Sequence, residues 1–303
     1  MKNIQVIIPV CNPDDKFDKL LGILQRQSVN NFKVLIIDSG DIHGYRSLIK
    51  KDNFCLKEIK SYEFNHGGTR QWGINICPNA EIYVFLTQDA ILVDEFTVEK
   101  LVDVFKDENI GCAYGRQLPH DDATFFSRIA RKNNYKNYSY IFSLRDREIY
   151  GMKTCFISNS FSAYRKKAML SIGGFPTNTI IGEDMYVAAK MLLHGWKLAY
   201  KADACVYHSH NYTVLQEFKR CFDTGVFHSA EPWIRKCFGS AEGEGVKFVI
   251  HELKVILKEK PIYLLEMIFR DGMKFIGYRL GLKEKWMPTC VKKHVSMTKS
   301  YWK

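Results

Sequence analysis

Asp38 and Asp89 each follow a short apolar run, Phe32 to Ile37 and Ile82 to Leu86, and Glu183-Asp184 follows Gly182 ahead of a helix-like segment. Acids in such places have ordinary uses. A turn Asp caps a following helix, and acids in a first helical turn complement its dipole. They also have chemical uses. A carboxylate at a strand edge, such as Asp38, can accept hydrogen bonds from a ligand. A lone Asp is a weak metal signal, but a Mg²⁺ or Mn²⁺ ion takes only one or two protein carboxylates, while substrate phosphates and water fill its shell, so Asp89 beside Gln88 is compatible with a metal site. Adjacent acids after a glycine suit a base that takes a proton from an attacking hydroxyl.

Asn65-His66-Gly67-Gly68-Thr69-Arg70 combines two glycines, a helix start and a cation. Glycines let backbone approach a ligand, a helix start offers free N–H groups, and Arg70 can pair with phosphate. The alternative is a plain glycine loop with a capping Asn or Thr; the combination points to anion binding. His208 and His210 follow the last apolar run. Residues two apart on an extended segment point to opposite faces. One of the two is therefore expected to complete the site of Asp89, and the other to be structural or to face an acceptor.

Elements must hold these residues in place. Ile4 to Val10 reads as a buried strand, and Lys16 to Gln27 as a helix with Phe17, Leu20, Leu21 and Leu24 on one face. Leu56 to Ile59 reads as a strand, and Gly68 to Cys77 and Phe96 to Phe105 as helices. This rhythm predicts an α/β fold, a mostly parallel sheet flanked by helices. Ligands of such sheets sit beyond the carboxyl ends of the strands, where Asn12, Asp38 and Asp89 fall. Residues 115–160 are aromatic and basic with weak periodicity. Leu198 to Val206 reads as a strand, the pattern after Tyr212 is helical to about Leu282, and a basic tail follows from Lys283.

The 303 residues, 46% hydrophobic and 25% charged, suit one large ordered domain or a domain with an appendage. Nine cysteines without a C-x-x-C pair suggest reduced thiols in a cytosolic protein. Met1-Lys2-Asn3 runs directly into the first strand without the pattern of a secretory leader. No stretch reaches the roughly 18 apolar residues of a spanning helix. The expected location is thus cytoplasmic. Net charge is +11, and residues 204–303 carry 17 Lys/Arg against 10 Asp/Glu, or +7. Nucleic acid, anionic lipid and phosphorylated substrates all suit a basic surface. No nucleic-acid reader motif is present, and the acidic sites would repel a phosphate backbone unless metal-bound, so no nucleic-acid partner is expected.

Pro9-Val10-Cys11-Asn12, Asp38-Ser39-Gly40, Gln88-Asp89 and Glu183-Asp184, in this order, resemble family 2 glycosyltransferases of the GT-A fold over roughly residues 3–228. Further runs resemble bacterial rhamnosyltransferases, which use dTDP-β-L-rhamnose to build O-antigens, capsules or wall polysaccharides. These are residues 63–70, Leu86-Thr87-Gln88-Asp89-Ala90, Tyr114-Gly115-Arg116-Gln117, residues 158–164 and His208-Ser209-His210-Asn211-Tyr212. Gln88 departs from the family's Asp-x-Asp metal motif, as the rhamnose subfamily does. Asp41 stands where Ser is frequent, and Gln71 where Asn is frequent.

The resemblance implies a catalytic domain over 1–228 and a helical, basic extension over 229–303. It implies a nucleotide-sugar donor held by Pro9, Asn12, Asp38, Gly67, Gly68, Arg70 and Gln88. Asp89 and His208 would bind Mg²⁺ or Mn²⁺. Asp184, beside Glu183, would act as the base of an inverting transfer to a polysaccharide or lipid-linked glycan. The alternatives are another donor, such as a UDP-hexose, or a non-catalytic glycan-binding scaffold. Apolar residues from Pro261 to Phe269, with Arg270, Lys274, Arg279, Lys283, Lys285, Trp286, Lys292, Lys293, Lys299 and Trp302 after them, suit peripheral contact with the cytoplasmic leaflet. Packing of the same apolar face on protein is the competing expectation.

Overall fold

The computed structural model describes residues 3–29, 31–45, 49 and 53–302; Met1 and Lys2, on which the leader expectation partly rests, lie outside them. The amino-terminal half follows the expected rhythm. Strand β1 (Ile4–Val10) is buried almost throughout, because parallel strands pair on both sides of it: β2 (Phe32–Asp38) and β4 (Ile82–Leu86). Strand β3 (Phe54–Glu58) extends the sheet beyond β2, also in parallel. The second half adds β5 (Ile91–Leu92), β6 (Ile110–Leu118), β7 (Tyr140–Phe142), β8 (Phe161–Arg165) and β9 (Lys197–Tyr207). Among the described residues the sheet order is β3-β2-β1-β4-β8-β6-β9-β5, with β7 also on β9. Here β8 runs antiparallel to both β4 and β6, while β6 and β9 are parallel. The result is a mixed sheet whose parallel half lies at the amino terminus.

Helices cover both faces. They are α1 (Asp15–Leu24), α2 (His66–Asn75), α3 (Thr97–Val102), α4 (Phe125–Asn134), α5 (Arg147–Tyr150), α6 (Lys166–Ile172) and α7 (Glu183–Leu193). Phe17, Leu20, Leu21 and Leu24 of α1 are buried against one face with Val6, Ile8, Val34 and Ile36. The other face carries Ile7, Leu35, Tyr83 and Phe85 beneath α6 and α7. The weakly periodic stretch is a nest of rings: Tyr114 packs against Tyr135, Phe156 and Tyr200, and its hydroxyl is 2.7 Å from that of Tyr140.

The helical run after Tyr212 is broken into α8 (Val214–Ala230), α9 (Pro232–Phe238), α10 (Ala241–Glu259) and α11 (Leu264–Leu282), followed by α12 (Thr289–Val295). Pro232 starts α9, Gly239 ends it at φ +85, and Pro261 separates α10 from α11. Glycines let α8 and α11 meet backbone to backbone. A Cβ on Gly277 would lie 2.4 Å from the Phe218 carbonyl oxygen, and one on Gly281 would lie 2.1 Å from that of Phe222. Buried Asp223 on α8 accepts hydrogen bonds from Met297 N (3.1 Å) and Thr298 N (3.2 Å), fastening the tail. Val295, Tyr301 and Trp302 then pack against the same core as the sheet. Val295, Tyr301 and Trp302 are therefore committed to protein, whereas Trp286 stays exposed.

A candidate metal centre and an acid pair in one cleft

Two adjoining cavities, about 530 and about 600 Å³, open at the carboxyl ends of the central strands. Both are lined by His66, Arg70, Asp89, His210 and Tyr212. The first also holds Asp184 and His208; the second reaches Pro9, Gln88 and Lys16.

Asp89 sits in the turn between β4 and β5, closed by Ala90 N donating to the Thr87 carbonyl at 3.1 Å. Its Oδ2 lies 3.5 Å from His208 Nε2 and 3.8 Å from His210 Nδ1. The three ligand atoms fall within 4.8 Å of one another. Both histidines thus converge on one acid, against the expectation that only one would. The reason is local. Strand β9 ends at Tyr207, so the alternation of a pleated strand no longer governs residues 208–210. The two rings meet nearly edge to face, centroids 4.7 Å apart, and Tyr212 stacks on His210 at 5.0 Å.

A second layer orients these groups. His208 Nδ1 is 2.8 Å from Gln117 Oε1. An amide oxygen only accepts, so Nδ1 carries the proton and Nε2 presents its lone pair towards Asp89. The same oxygen accepts from Arg131 Nη1, while Gln117 Nε2 donates to Ser158 Oγ at 2.9 Å. The His120 ring is 3.2 Å from the Asp89 carbonyl, and His120 N donates to Ser209 Oγ at 3.1 Å. Burial pushes His208 down to about 3 and lowers His210, so both are neutral, the form that binds metal. Burial opposes ionisation of Asp89, but the imidazoles and hydrogen bonds outweigh it and hold its carboxyl below the ordinary range. One carboxylate and two neutral imidazoles fit a divalent cation and leave positions for substrate oxygens.

The acid pair divides into two environments. Gly182, at φ +79, turns the chain into α7; a Cβ there would meet the Phe227 ring at 2.8 Å. Glu183 points inward, 3.1 Å from Arg70 Nη1, and accepts from Asn159 Nδ2 at 3.0 Å. Burial resists its charge, yet Arg70, His66 and Asn159 prevail and keep it ionised. Both acids line the cleft, but Asp184 is the less buried of the two, and among the described residues it accepts from backbone N–H groups alone, those of Met185 (2.8 Å) and Asn159 (3.2 Å). Burial, reinforced by the neighbouring Glu183 charge, lifts its carboxyl to about 6.

The expected donor contacts scatter more widely. Gln88 clamps the end of β1, accepting from Cys11 N at 2.7 Å and donating to Cys11 O at 3.2 Å. Asn12, at φ +45, accepts from Asp41 N at 2.9 Å, and buried Asp38 accepts from Gly40 N at 2.9 Å. These two shape the loops after β1 and β2 and are outside the lining of both cavities. Gly67 and Gly68 are also outside it. A Cβ on Gly67 would lie 1.8 Å from the Pro176 carbonyl oxygen, and Gly68 N is capped by Asn65 Oδ1 at 2.8 Å. Arg70 reaches the cleft but spends one guanidinium nitrogen on Glu183 and the His66 carbonyl. Sequence reasoning did not single out Asn159, Gln117 or Arg131 as site residues. The motifs Ser158-Asn159-Ser160 and Gly115-Arg116-Gln117 contained the first two, and nothing local marked Arg131.

Residues 84–221 match the family model described as glycosyl transferase family group 2. The chain is 43% identical over 300 residues to O-antigen chain rhamnosyltransferase RfbN of Salmonella typhimurium, covering 99% of this chain and 96% of that protein. It is 40% identical over 303 residues to O-antigen chain rhamnosyltransferase WbaN of Salmonella anatum, covering 100% and 96%. In fold it resembles a mannosyltransferase from Pyrobaculum calidifontis, solved with GDP-Man and Mn²⁺, with a TM-score of 0.63 at 16% identity over 94% of this chain and 88% of that one. It also resembles TarS of S. aureus with UDP-GlcNAc, with a TM-score of 0.58 at 14% identity over 97% and 84%.

Proposed function

The chain belongs to family 2 of the glycosyltransferases, and from that premise we propose that it transfers rhamnose from dTDP-β-L-rhamnose to a growing O-antigen glycan, with inversion at the anomeric carbon. The observation that carries this reading is the placement of Asp184, lifted to about 6, in the same cleft as the Asp89–His208–His210 cluster. The names of the two Salmonella relatives support the sugar and the acceptor class.

In this reading, the cavity beside Pro9, Gln88 and Lys16 takes the nucleotide, and the one beside Asp184 takes the acceptor. The two meet at Asp89 and His210, where the sugar–phosphate bond would lie. Asp89, His208 and His210 would hold a divalent ion, which when bound would supply Lewis-acid stabilisation to the leaving diphosphate. Two imidazoles beside one carboxylate favour Mn²⁺ over Mg²⁺. Arg131 and Arg220 line the cleft and add positive charge near that diphosphate. Asp184 removes the proton of the acceptor hydroxyl as it attacks from the face opposite the diphosphate. A carboxyl raised to about 6 is ionised at neutral pH, yet more basic than an ordinary one, as a general base requires. Glu183 stays tied to Arg70, and its role is to hold α7 and raise its neighbour.

We also take the acceptor to be lipid-linked and presented at the cytoplasmic leaflet. No helix among the described residues is long and apolar enough to cross a membrane. A donor screen with purified protein and Mn²⁺, reading released nucleoside diphosphate, tests the reaction. dTDP-rhamnose should support turnover; robust turnover with a UDP-hexose and none with dTDP-rhamnose would overturn the donor assignment.

A further inference from the structure

Helix α11 is amphipathic in the reverse of the usual sense. Its inward face combines glycines and ion pairs with only two large buried side chains, Met267 and Tyr278. Gly277 and Gly281 meet α8, and Arg270 lies 3.0 Å from Glu217 and donates to the Tyr212 carbonyl at 3.1 Å. Lys274 pairs with Asp271 at 2.9 Å. The outward face is apolar: Leu265 is 80% exposed, and Ile268, Phe269, Phe275, Ile276 and Leu280 are exposed with it. At 100° per residue these six positions, with Gly272, Arg279 and Lys283, form one stripe roughly 140° wide and about 27 Å long. Ile262 before the helix and Trp286 after it are each 89% exposed.

We propose that this outward face of α11, with Ile262 and Trp286 at its ends, docks on an anionic lipid leaflet. The inference rests on the reading of a lipid-linked acceptor and names the surface that would bring the enzyme to it. Charge selects the occupant. Lys283 and Lys285 are exposed at the carboxyl end of the stripe, Arg279 beside them is exposed but 3.8 Å from Glu242 of α10, and no carboxylate lies on the stripe itself. Glu266 and Asp271 are already paired with Arg270 and Lys274, and Glu284 with Lys292. A second copy of this chain would thus bring an identical face with cations and no counter-charge, whereas an anionic bilayer supplies both the apolar phase and the charge. Trp286 beside Lys285 suits the headgroup level, where an amphipathic ring sits between apolar and wet surroundings. Arg270 and Lys274, expected from sequence among the lipid-facing cations, are instead directed into the protein. Through its bond to the Tyr212 carbonyl, Arg270 ties the docking helix to the loop that carries His210.

The test is co-sedimentation of the full chain with vesicles of phosphatidylcholine, with and without phosphatidylglycerol. The wild type should bind only the anionic vesicles, and less in high salt. Leu265→Asp/Phe269→Asp should lower partitioning about tenfold or more, and Lys283→Gln/Lys285→Gln should do the same with a shallower salt dependence. All four positions are exposed, so melting temperature and donor turnover in lipid-free buffer should stay unchanged, which separates lost docking from lost folding. Absence of wild-type binding, or binding undiminished by the Asp pair, overturns the proposal. So does a wild-type dimer by light scattering that the Asp pair makes monomeric without any vesicle binding. Vesicle binding is read without nucleotide sugar and the donor screen without lipid, so either reading can fail alone.

Discussion

Gln117 Oε1 lies 2.8 Å from His208 Nδ1, and this contact fixes which imidazole nitrogen faces Asp89. The residue that sets the tautomer is 91 positions away in sequence and never touches the carboxylate it serves. Replacing it with Leu removes the acceptor and leaves the ring free to turn. Gln117→Leu should weaken Mn²⁺ binding about 10- to 100-fold, the usual cost of a lost outer partner. Titration calorimetry would read this; unchanged affinity would deny the residue that role.

His210 provides a second test of the same centre. If three ligands share the ion, His210→Ala and His208→Ala should each weaken Mn²⁺ binding, and Asp89→Ala should abolish metal-dependent turnover. A His210→Ala protein with wild-type affinity would return the site to the two-ligand arrangement expected from sequence. Full activity in EDTA would remove the metal from the mechanism.

The base should show itself in a pH profile. Asp184 is held near 6, so the rate should rise as pH passes upward through about 6 and the carboxyl loses its proton. Asp184→Asn keeps the shape and should lower transfer about 10²-fold or more, with that limb gone. Near-normal transfer by the variant would move the role elsewhere.

The Arg70–Glu183 pair is buried on both sides, with side chains 6% and 7% exposed. Removing one partner leaves a charge without its complement, which typically costs about 3–5 kcal/mol. Arg70→Leu should therefore lower the denaturation midpoint sharply, while the double change Arg70→Leu/Glu183→Leu should recover part of the loss. Additive effects in this cycle would contradict the coupling.

Glu252, buried on α10 beside Asp271, Lys274 and Glu217, has its carboxyl raised from 4.5 to about 8, with burial the main cause. A folded value above the unfolded one favours the protonated form in the native state. That stabilisation is complete below about 4.5 and is lost as pH rises to about 8. Glu252→Gln should consequently melt higher than wild type at pH about 8 and above, by about 2 °C or more, with the gap closing in acid. Parallel melting curves at every pH would refute the assignment.

Much of the fold was legible locally. Buried parallel strands need continuous apolar runs, so Ile4–Val10 and Ile82–Leu86 announced themselves, and the helix bearing Phe17, Leu20, Leu21 and Leu24 followed from its period. Asp89 and Asp184 stood out because strand ends and helix starts are where such sheets place their chemistry. The antiparallel insertion of β8 was not legible, since strand order depends on pairings between distant segments.

Amino-acid types alone thus determined which groups could do chemistry and roughly which elements would carry them. Tertiary structure decided their use. It turned His210 onto Asp89 because the strand stops at Tyr207. It tied Glu183 to Arg70 and left Asp184 facing the cleft. It closed Gly67 against Pro176, and it turned the apolar stripe of α11 outward, because only glycines at 277 and 281 could meet the backbone of α8. Each outcome depends on a contact between residues far apart in the chain, which local periodicity does not encode.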